Sequence, residues 1–329
     1  MTLEQGTPEI EDVTGRGRFQ QRLLEWFDRH KRDLPWRRDR DPYRVWLSEV
    51  MLQQTRVAAV IDHYQKFLRR FPTIEKLACA RESSVLAAWS GLGYYRRARM
   101  LHAAAKKVVK EFGGNLPGTA EDLRALPGIG RYTAAAIASI AFKQPVAVVD
   151  GNVERVLQRV EGKNLGGEAL WCAAAKILSR QRPGDFNQAM MELGATICLP
   201  RQPQCLLCPV SDLCATRGDL RKPGKGSRQT KREIHYTLAC RASSIFLIQR
   251  SKTATLMPGM WELPEMVSPN GTAAWLTLRH SITVTDYVVR VIRSPAARGL
   301  DGRWVRTSRI TTLPLTGLAR KILRAAKII

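Results

Sequence analysis

The sequence predicts two folded domains, an all-α domain followed by a smaller α+β domain. Apolar residues recur with helical spacing from Phe19 to about Thr196, and glycine and proline residues separate the helices. From Tyr236 onward the pattern changes to alternating β-branched runs, with a helix near the end. A chain of 329 residues that is 44% hydrophobic has enough apolar side chains for both cores.

These changes of pattern divide the chain into segments. We expect a flexible arm over residues 1–16, the all-α domain over 17–217, a basic linker over 218–232 and the α+β domain over 233–329. The predicted strands of the second domain are 236–241, 244–249, 281–292 and 303–305. Within the all-α domain, residues 198–214 form a cysteine-rich segment, called here the cysteine loop.

A proline-glycine turn between Leu126 and Gly130 opens directly into a helix of small residues. Because Gly128 and Gly130 lack Cβ atoms, the backbone can approach another surface closely, and the unpaired N–H groups of the helix favour an anion. Leu126, Gly128 and Gly130 are therefore candidate phosphate-binding residues. Thr119 is the predicted N-cap of a short helix before the turn, which gives a helix-hairpin-helix. An ordinary turn between core helices is the alternative.

The charge of the chain favours a polyanionic partner. Lys and Arg number 53 and Asp and Glu 29, a formal net charge of +24. Nucleic acid is the first candidate; a membrane is disfavoured because no apolar run approaches 18 residues. The acidic N-terminus has no apolar core, so we expect no secretion signal and, in a bacterium, a cytoplasmic protein associated with the nucleoid.

Four of the seven cysteines follow the spacing C-x6-C-x2-C-x5-C, which is typical of a metal site in a reducing compartment. These are Cys198, Cys205, Cys208 and Cys214. Four thiolates in a compact loop bind either zinc or a [4Fe–4S] cluster, and the ligand type does not separate the two. The remaining three, Cys79, Cys172 and Cys240, are interpreted as small core residues.

The hairpin, the aspartate in the segment 148–152 and the cysteine loop together resemble the endonuclease-III-like DNA glycosylases, over residues 19–217. Four motifs resemble the MutY branch: Leu34-Pro-Trp-Arg37, Asp41-Pro-Tyr-Arg-Val-Trp-Leu-Ser-Glu49-Val-Met-Leu-Gln-Gln-Thr55, Gly91-Leu-Gly-Tyr-Tyr95 and Phe186-Asn-Gln-Ala189. The resemblance implies excision of adenine opposite 8-oxoguanine or guanine in double-stranded DNA, and a [4Fe–4S] cluster rather than zinc. We expect a monomer.

Two carboxyl groups are the candidate catalytic pair, because cleavage of a purine glycosidic bond needs an acid for the leaving base and a negative charge beside the sugar cation. Glu49 lies among Trp46, Val50 and Leu52, which favour a protonated carboxyl that could donate to adenine N7. The resemblance assigns Asp150 as the ionised carboxylate. The structural alternatives are a paired carboxylate for Glu49 and a helix N-cap for Asp150, and capping is compatible with catalysis.

Tyr132 stands where superfamily members that also cut the DNA strand carry a lysine. Without that amine no Schiff base can form at this position, so the sequence predicts a glycosylase without lyase activity. The resemblance places Tyr132 and Asn152 on the sugar side of the site. Packing against the hairpin is the structural alternative for Tyr132.

An adenine within a duplex must be flipped out to reach these groups. By resemblance, Gln54 and Tyr94 are the wedge residues near the estranged base pair, although Tyr94 could be a core aromatic, as we expect Tyr95 to be. The residues implied to line the adenine pocket are Arg37, Leu52, Val57 and Gln188.

The segment Leu256-Met-Pro-Gly-Met-Trp-Glu-Leu-Pro264 resembles the start of the MutT-like C-terminal domain of MutY proteins. Residues 233–329 contain only five acidic residues, so the glutamate-rich Nudix box is missing and we expect no pyrophosphatase activity. The segment that begins at His280 aligns with the loop that reads 8-oxoguanine in this family. Ile282 and Thr283 then lie in the loop, and Val284 replaces the family's histidine. The alternative is that this segment is simply a strand without a role in recognition.

Two other functions compete with adenine excision. A relative that acts on another mismatch, such as thymine opposite guanine, would differ in the base it releases. A non-catalytic iron–sulfur sensor would bind DNA without releasing any base.

Overall fold

The structure, a computed structural model, describes residues 13–218, 230–266, 273–282, 285–294 and 300–329. Contacts between residues divide the chain into two units. Unit 1 comprises the described parts of Met1–Gln54 and Lys107–Pro223, and unit 2 those of Thr55–Lys106 and Gly224–Ile329. Most of the predicted arm and of the predicted linker lies outside the described residues.

The region up to the cysteine loop is helical, as predicted. Its helices and those of the C-terminal region are α1 (Val13–His30), α2 (Pro42–Leu52), α3 (Val57–Arg70), α4 (Ile74–Ala78), α5 (Glu82–Trp89), α6 (Arg96–Phe112), α7 (Ala120–Arg124), α8 (Arg131–Phe142), α9 (Gly151–Glu161), α10 (Gly167–Ile177), α11 (Pro183–Thr196), α12 (Thr307–Ile310) and α13 (Gly317–Ala325). Helix α1 includes residues 13–16, which corrects their assignment to a flexible arm. Within the described ranges, no helix is both long and apolar enough to span a bilayer.

Side-chain caps explain where the helices of the site begin. The Asp41 carboxylate accepts a hydrogen bond from the backbone N–H of Arg44 at 2.9 Å, and Pro42 occupies the first turn of α2. Thr119 caps α7 as predicted, since its Oγ1 accepts a hydrogen bond from the N–H of Asp122. These caps fix the start of both helices in the sequence itself.

The core of unit 1 lies between α1, α9, α10 and α11. Phe19, Leu23, Leu157, Phe186 and Leu193 are almost completely buried in it. Each such side chain stabilises the fold by about 1.5–3 kcal/mol relative to an exposed position. Helix α8 packs against α2, α7 and α11, so the helix that follows the hairpin is held on three sides.

Two glycines allow α11 to approach its neighbours closely. A Cβ atom on Gly184 would lie 2.5 Å from the carbonyl oxygen of Ser139 in α8. A Cβ atom on Gly194 would lie 2.6 Å from the Cβ of Asn152 in α9. Since both distances are below van der Waals contact, α11 fixes the spacing of α8 and α9 at the site described below.

Asn187, between these glycines, holds the extended segment that leads into α9. Its Nδ2 donates to Val146 O and to Ser139 Oγ, both at 2.9 Å, and its Oδ1 accepts from Val148 N at 3.2 Å. The side chain is 3% exposed. Asn187 therefore satisfies the backbone of a segment that ends immediately before Asp150.

The C-terminal part of unit 2 contains the strands β1 (Thr230–Leu238), β2 (Cys240–Arg241), β3 (Ser244–Gln249), β4 (Trp261–Glu262), β5 (Glu265–Met266), β6 (Leu276–Ile282), β7 (Thr285–Arg293) and β8 (Arg303–Arg306). One sheet has the order β5-β1-β7-β6, and the other has the order β2-β3-β4 with β8 also paired to β3. Strands β1 and β7 run parallel in register from Thr230 opposite Thr285 to Leu238 opposite Arg293.

Two strand predictions and one linker boundary need correction. The predicted strand 281–292 covers the last two residues of β6 and most of β7, which are two antiparallel strands. Four of the five residues 281–285 are β-branched, so the sequence gives no turn signal between the two strands. Residues 230–232 belong to β1 rather than to a linker, and the run 236–241 is divided between β1 and β2.

The helical segment of unit 2 contacts the C-terminal region of the same unit through a buried tyrosine. Tyr95, which we expected to be a core aromatic, is 4% exposed, and its hydroxyl donates to Leu315 O at 2.8 Å. Ser90 Oγ donates to the same carbonyl at 3.2 Å and accepts from Arg320 Nε at 2.9 Å. Leu247 and Ile322 belong to the apolar core of the C-terminal region.

The contact between α11 and α8 predicts a strong effect of one methyl group. We expect Gly184→Ala to destabilise the protein by about 1–3 kcal/mol, because the new Cβ meets backbone atoms that cannot move independently. Thermal or urea unfolding measures the change. Gly17→Ala, at an exposed position within α1, is the control, since nothing lies within 4 Å of a Cβ there; equal stability of the two variants would contradict the close contact.

Candidate active site and cysteine loop

The buried carboxyl group of Glu49 is the centre of the candidate active site. Glu49 lies on α2 and is 6% exposed, between the buried residues Ser48 and Val50. Tyr132, in the first turn of α8, donates a hydrogen bond from its hydroxyl to Glu49 Oε2 at 2.7 Å. Packing of α2 against α8 therefore brings together two of the predicted catalytic residues.

The surroundings of Glu49 favour its neutral form. The pKa of Glu49 is raised to about 7, chiefly because the carboxyl group is buried and to a smaller extent because of the negative charge of Asp150. The hydrogen bond from Tyr132 and the positive charge of Arg37 act in the opposite direction. Burial and the charge of Glu49 also raise the pKa of Tyr132 well above its usual value, so this hydroxyl keeps its proton. Near neutral pH, Glu49 can both hold and release a proton.

Asp150 is the N-cap of α9, as the structural alternative predicted. Its Oδ1 accepts from the backbone N–H groups of Asn152 and Val153 at 2.9 and 2.7 Å, and its Oδ2 accepts from Asn152 Nδ2 at 3.0 Å. The N-terminus of α9 therefore stabilises a negative charge on Asp150. Capping fixes the carboxylate without removing its charge, and this charge acts on both Glu49 and Tyr132.

Arg155 connects this capping group to the cysteine loop. Its Nη2 donates to Asn152 Oδ1 at 2.8 Å and to Gly194 O at 2.6 Å, and its Nε donates to Cys198 O at 2.7 Å. Asp150, Asn152, Arg155 and Cys198 thus form one hydrogen-bonded chain. The i,i+3 spacing of Asn152 and Arg155 on a helix could have indicated this contact from the sequence.

A second buried carboxylate, that of Glu192, belongs to no motif of the sequence. Glu192 is 1% exposed on α11 and binds Arg32 Nε at 2.7 Å and Arg37 Nη2 at 2.8 Å. Although burial alone would raise the pKa of Glu192, the hydrogen bonds from Arg32 and Arg37 lower it to about 2. The spacing in the sequence could have indicated this residue, because Glu192 lies one helical turn after the predicted pocket residue Gln188, on the same face of α11.

The predicted pocket residues belong to different parts of the chain. In unit 1, Arg37 is paired with Glu192, Leu52 ends α2, and Gln188 is half-buried on α11. In unit 2, Val57 begins α3 and is half-buried. Each residue retains side-chain surface that a ligand could contact.

Both predicted wedge residues have left-handed backbone conformations that are uncommon for residues other than glycine. The φ angle is 54° at Gln54 and 46° at Tyr94. Gln54 is exposed, and 52% of Tyr94 is exposed, so Tyr94 is not a core aromatic. Strained, exposed residues of this kind are typical of functional positions.

The hairpin has the predicted form. Gly128 has a φ of 76°, a conformation that glycine adopts at low cost, and Gly130 is the N-cap of α8. Both glycines are exposed, whereas Leu126 is buried beneath the turn. A Cβ on Gly130 would meet no atom within 4 Å, so the space in front of the helix N-terminus is open.

The four cysteines of the cysteine loop line one pocket. The pocket is partly open to solvent, and its walls also include Val156, Val160, Leu193 and Val210. Arg159 Nη1 donates to Cys198 Sγ at 3.2 Å, and Arg159 also holds the loop through Leu199 O at 2.7 Å. Among the described residues, no three metal-binding side chains are placed to hold a single ion. Thiols, apolar walls and an N–H group directed at sulfur fit an iron–sulfur cluster.

The interpretation of the other cysteines as core residues is wrong. Cys79, Cys172 and Cys240 are exposed free thiols. Cys79 follows the short helix α4 and Cys172 lies on the outer face of α10, where the apolar neighbours in sequence point the other way.

The residues expected to read 8-oxoguanine are only partly described. Ile282 is the last residue of β6 and pairs with Thr285 at the start of β7. Thr283 and Val284 lie outside the described residues.

Comparisons with known proteins agree with this geometry. A family model described as "HhH-GPD superfamily base excision DNA repair protein" matches residues 47–165. An adenine DNA glycosylase of Rattus norvegicus is 42% identical over 80% of this chain and 63% of its own length. One of Buchnera aphidicola subsp. Baizongia pistaciae is 32% identical over 78% of this chain and 76% of its own length. The chain thus spans less than two thirds of the rat relative.

Solved structures resemble the helical region. A thermostable thymine-DNA glycosylase aligns with a TM-score of 0.59 and 33% identity, over 63% of this chain and 99% of its own. Endonuclease III trapped on DNA aligns with a TM-score of 0.53 and 22% identity, over 61% and 96% of the two chains. The helical region therefore has the fold of the helix-hairpin-helix base excision repair glycosylases. Within that class, the match across most of the Buchnera protein shows that the chain belongs to the adenine DNA glycosylase family.

Because Glu49 is buried, replacing it by a neutral residue should raise the free energy of unfolding at high pH. The pKa of Glu49 is higher in the folded state than in the unfolded chain, so the wild type loses stability as pH rises from about 4.5 to about 7. Glu49→Gln cannot ionise and should be more stable by about 1 kcal/mol or more at pH 8, with little difference below pH 4. Urea unfolding across this pH range measures the difference. The control is Glu121→Gln, at an exposed position. If the difference in unfolding free energy from the wild type is independent of pH for both variants, Glu49 ionises like an exposed glutamate.

Proposed function

We propose that this chain is an adenine DNA glycosylase that flips adenine out of double-stranded DNA and hydrolyses its glycosidic bond when the base lies opposite 8-oxoguanine or guanine. The observation that carries the proposal is the buried Glu49, with its pKa near 7, beside Tyr132 and the capped carboxylate of Asp150. Family membership and the net charge of +24 support DNA as the substrate.

The two carboxyl groups have the different surroundings that this reaction requires, since Glu49 is buried and Asp150 accepts hydrogen bonds from the N-terminus of α9. Protonated Glu49 donates its proton to adenine N7, so the bond between N9 and C1′ breaks with its electron pair moving to the base. Asp150 stabilises the positive charge that develops on the sugar, and its carboxylate keeps its position because α9 donates hydrogen bonds to it. Water then adds to C1′ and gives its proton to the Glu49 carboxylate, which restores the acid and leaves free adenine and an abasic site.

Tyr132 and Asn152 position these groups. The Tyr132 hydroxyl orients the Glu49 carboxyl, and the Asn152 amide orients Asp150. Since Tyr132 replaces the lysine that would form a Schiff base, the enzyme should leave the DNA strand intact. Arg37, Leu52 and Gln188, all in unit 1, are the residues proposed to contact the adenine. The charge of Glu192 is already neutralised by Arg32 and Arg37.

The hairpin is the proposed site of DNA backbone binding. The exposed Gly128 and Gly130 leave room for a phosphate in front of the N-terminus of α8, with the buried Leu126 fixing the turn. On DNA, Gln54 and Tyr94 would fill the space left by the flipped nucleotide.

A [4Fe–4S] cluster on Cys198, Cys205, Cys208 and Cys214 is the proposed cofactor. When bound, the cluster links four thiolates and so holds the ends of the loop together. Arg159 would donate to its Cys198 ligand, and Arg155 would bind the loop to α9. The apolar walls of the pocket would exclude water from the sulfurs.

The strand-containing C-terminal region is the proposed MutT-like recognition domain. Ile282 and Thr283 would approach the base opposite the adenine, Thr283 through its hydroxyl group. The five acidic residues of 233–329 are too few for a Nudix metal site, so no pyrophosphatase activity is proposed. We propose that the protein acts as a monomer in the compartment that contains the DNA, which is the nucleoid if the source is bacterial.

Thymine excision opposite guanine is the second candidate, favoured by the 33% identity to a thymine-DNA glycosylase. The adenine family match and the protonated acid Glu49 favour adenine, because protonation at N7 is available to purines only. A DNA-binding sensor without catalysis is disfavoured by the tuned pKa of Glu49, which binding alone does not require.

The activity is tested with duplexes that hold adenine opposite 8-oxoguanine, guanine or thymine, and a duplex with thymine opposite guanine. Alkali then reveals abasic sites. We expect adenine release opposite 8-oxoguanine and guanine, without strand cleavage before alkali. Glu49→Gln should be slower by at least about a hundredfold, and the single-turnover rate should fall as pH rises through about 7, because Glu49 loses its proton.

Other outcomes of this assay support the competing functions. Release of thymine alone would replace the proposal by the second candidate. Binding of every duplex without any release would support a sensor. An unaltered rate in Glu49→Gln would contradict the role of Glu49 as the acid.

The cofactor is tested by replacing one ligand. We expect the wild-type protein to be brown and to contain iron and inorganic sulfide in equal amounts, and Cys208→Ser to lose most of both because the pocket loses a ligand. Iron and sulfide assays measure the content. Cys172→Ser, an exposed thiol outside the pocket, is the control; zinc in place of iron in the wild type would overturn the assignment.

A further inference from the structure

Arg97, in the first turns of α6, makes contacts that no role described above explains. Its Nη2 lies 3.0 Å from Thr55 Oγ1, 3.2 Å from Leu92 O and 3.3 Å from Gly93 O. A single guanidinium group therefore contacts two separate turns of unit 2. Its partial burial lowers the pKa of Arg97 to about 10, and the group remains a cation at neutral pH.

The same guanidinium lies against aromatic rings. Its carbon is 5.5 Å from the ring centre of Tyr94 and 5.3 Å from that of Trp89. The Trp89 indole also donates from Nε1 to Gly93 O at 3.1 Å. The carbonyl that precedes Tyr94 is thus held by two donors, and the ring of Tyr94 rests on a cation.

The residues next to these contacts carry the strained backbone. Gly93 precedes Tyr94, which has a φ of 46°, and Thr55 follows Gln54, which has a φ of 54°. Conformations of this kind cost about 1–3 kcal/mol each and persist only where surrounding contacts impose them. Arg97 contacts the ring of Tyr94 and the residue that follows Gln54.

We infer that Arg97 is a positioning residue that holds the turns of Gln54 and Tyr94 in the strained conformations needed to flip the target nucleotide out of the duplex. The inference rests on the proposed function, since it assigns these two residues to the wedge. Arg97 does not touch the reacting atoms and acts through Thr55, Gly93 and the ring of Tyr94. A lysine would keep the charge, but its compact ammonium lacks the planar group that contacts the rings of Tyr94 and Trp89 and also reaches these acceptors.

The test separates flipping from chemistry by using a protein that does not cleave. In a Glu49→Gln background, 2-aminopurine replaces the target adenine in a duplex opposite guanine, and its fluorescence rises when the base leaves the stack. We expect the additional substitution Arg97→Lys to reduce the rate of this rise by about ten- to a hundredfold. Thr55→Val, which removes one acceptor and preserves shape, should reduce it less. Arg96→Lys, at an exposed neighbouring position, is the matched control and should leave it unchanged.

In the cleaving protein, Arg97→Lys should slow single-turnover adenine release to a similar extent, with an unchanged pH midpoint because the acid is not altered. A fluorescence rise as fast as in the Arg97-containing protein would overturn the inference. So would a large fall in the melting temperature of Arg97→Lys together with loss of affinity for undamaged duplex, which would identify a merely structural residue. Failure of the proposed function gives a different result: no adenine release from the wild type, whether or not the base is flipped.

Discussion

The burial of one carboxyl group, that of Glu49, is the constraint on which the site depends. An ionised carboxylate in this position would lose most of its hydration, so the folded protein retains the proton near neutral pH. The Tyr132 hydroxyl limits the effect, because its hydrogen bond favours the charged form and keeps the pKa near 7 rather than higher. Asp150 has the opposite surroundings, since the N-terminus of α9 donates to it. Two carboxyl groups with the same chemistry therefore have different surroundings, set by α2 and α9, and these suit the proposed tasks of acid and counter-charge.

Helix α11 maintains this arrangement. The close approaches at Gly184 and Gly194 set its spacing to α8 and α9, and Asn187 satisfies the backbone of the segment that enters α9. The same helix carries Glu192, whose buried charge is balanced by Arg32 and Arg37. Because α8 carries Tyr132 and α9 is capped by Asp150, a shift of α11 would change the distance between Asp150 and the tyrosine that holds the Glu49 carboxyl. The core of unit 1 is thus also the support of the site.

Local chemistry made part of this structure predictable from the sequence. Thr119 and the glycines of the hairpin specify caps and turns within a few residues, and the apolar neighbours of Glu49 indicate its burial. Contacts between residues far apart in the chain could not be predicted from local sequence patterns. The contacts of Glu192 with Arg32 and Arg37 join segments that are 160 and 155 residues apart. The antiparallel pair β6 and β7 was read as one strand, because β-branched residues continue through its change of direction. Exposure of Cys172 was missed since composition does not reveal which face of a helix is outside.

The central claim is that Glu49 holds a proton at neutral pH in the folded protein, and infrared spectroscopy of the carboxyl group tests it most directly. The difference spectrum between the wild type and Glu49→Gln isolates the signal of this one side chain. The account predicts a protonated-carboxyl band at pH 6 that disappears with a midpoint near pH 7. A carboxylate band already complete at pH 6, with a midpoint near the ordinary value for glutamate, would contradict it and remove the acid from the proposed reaction.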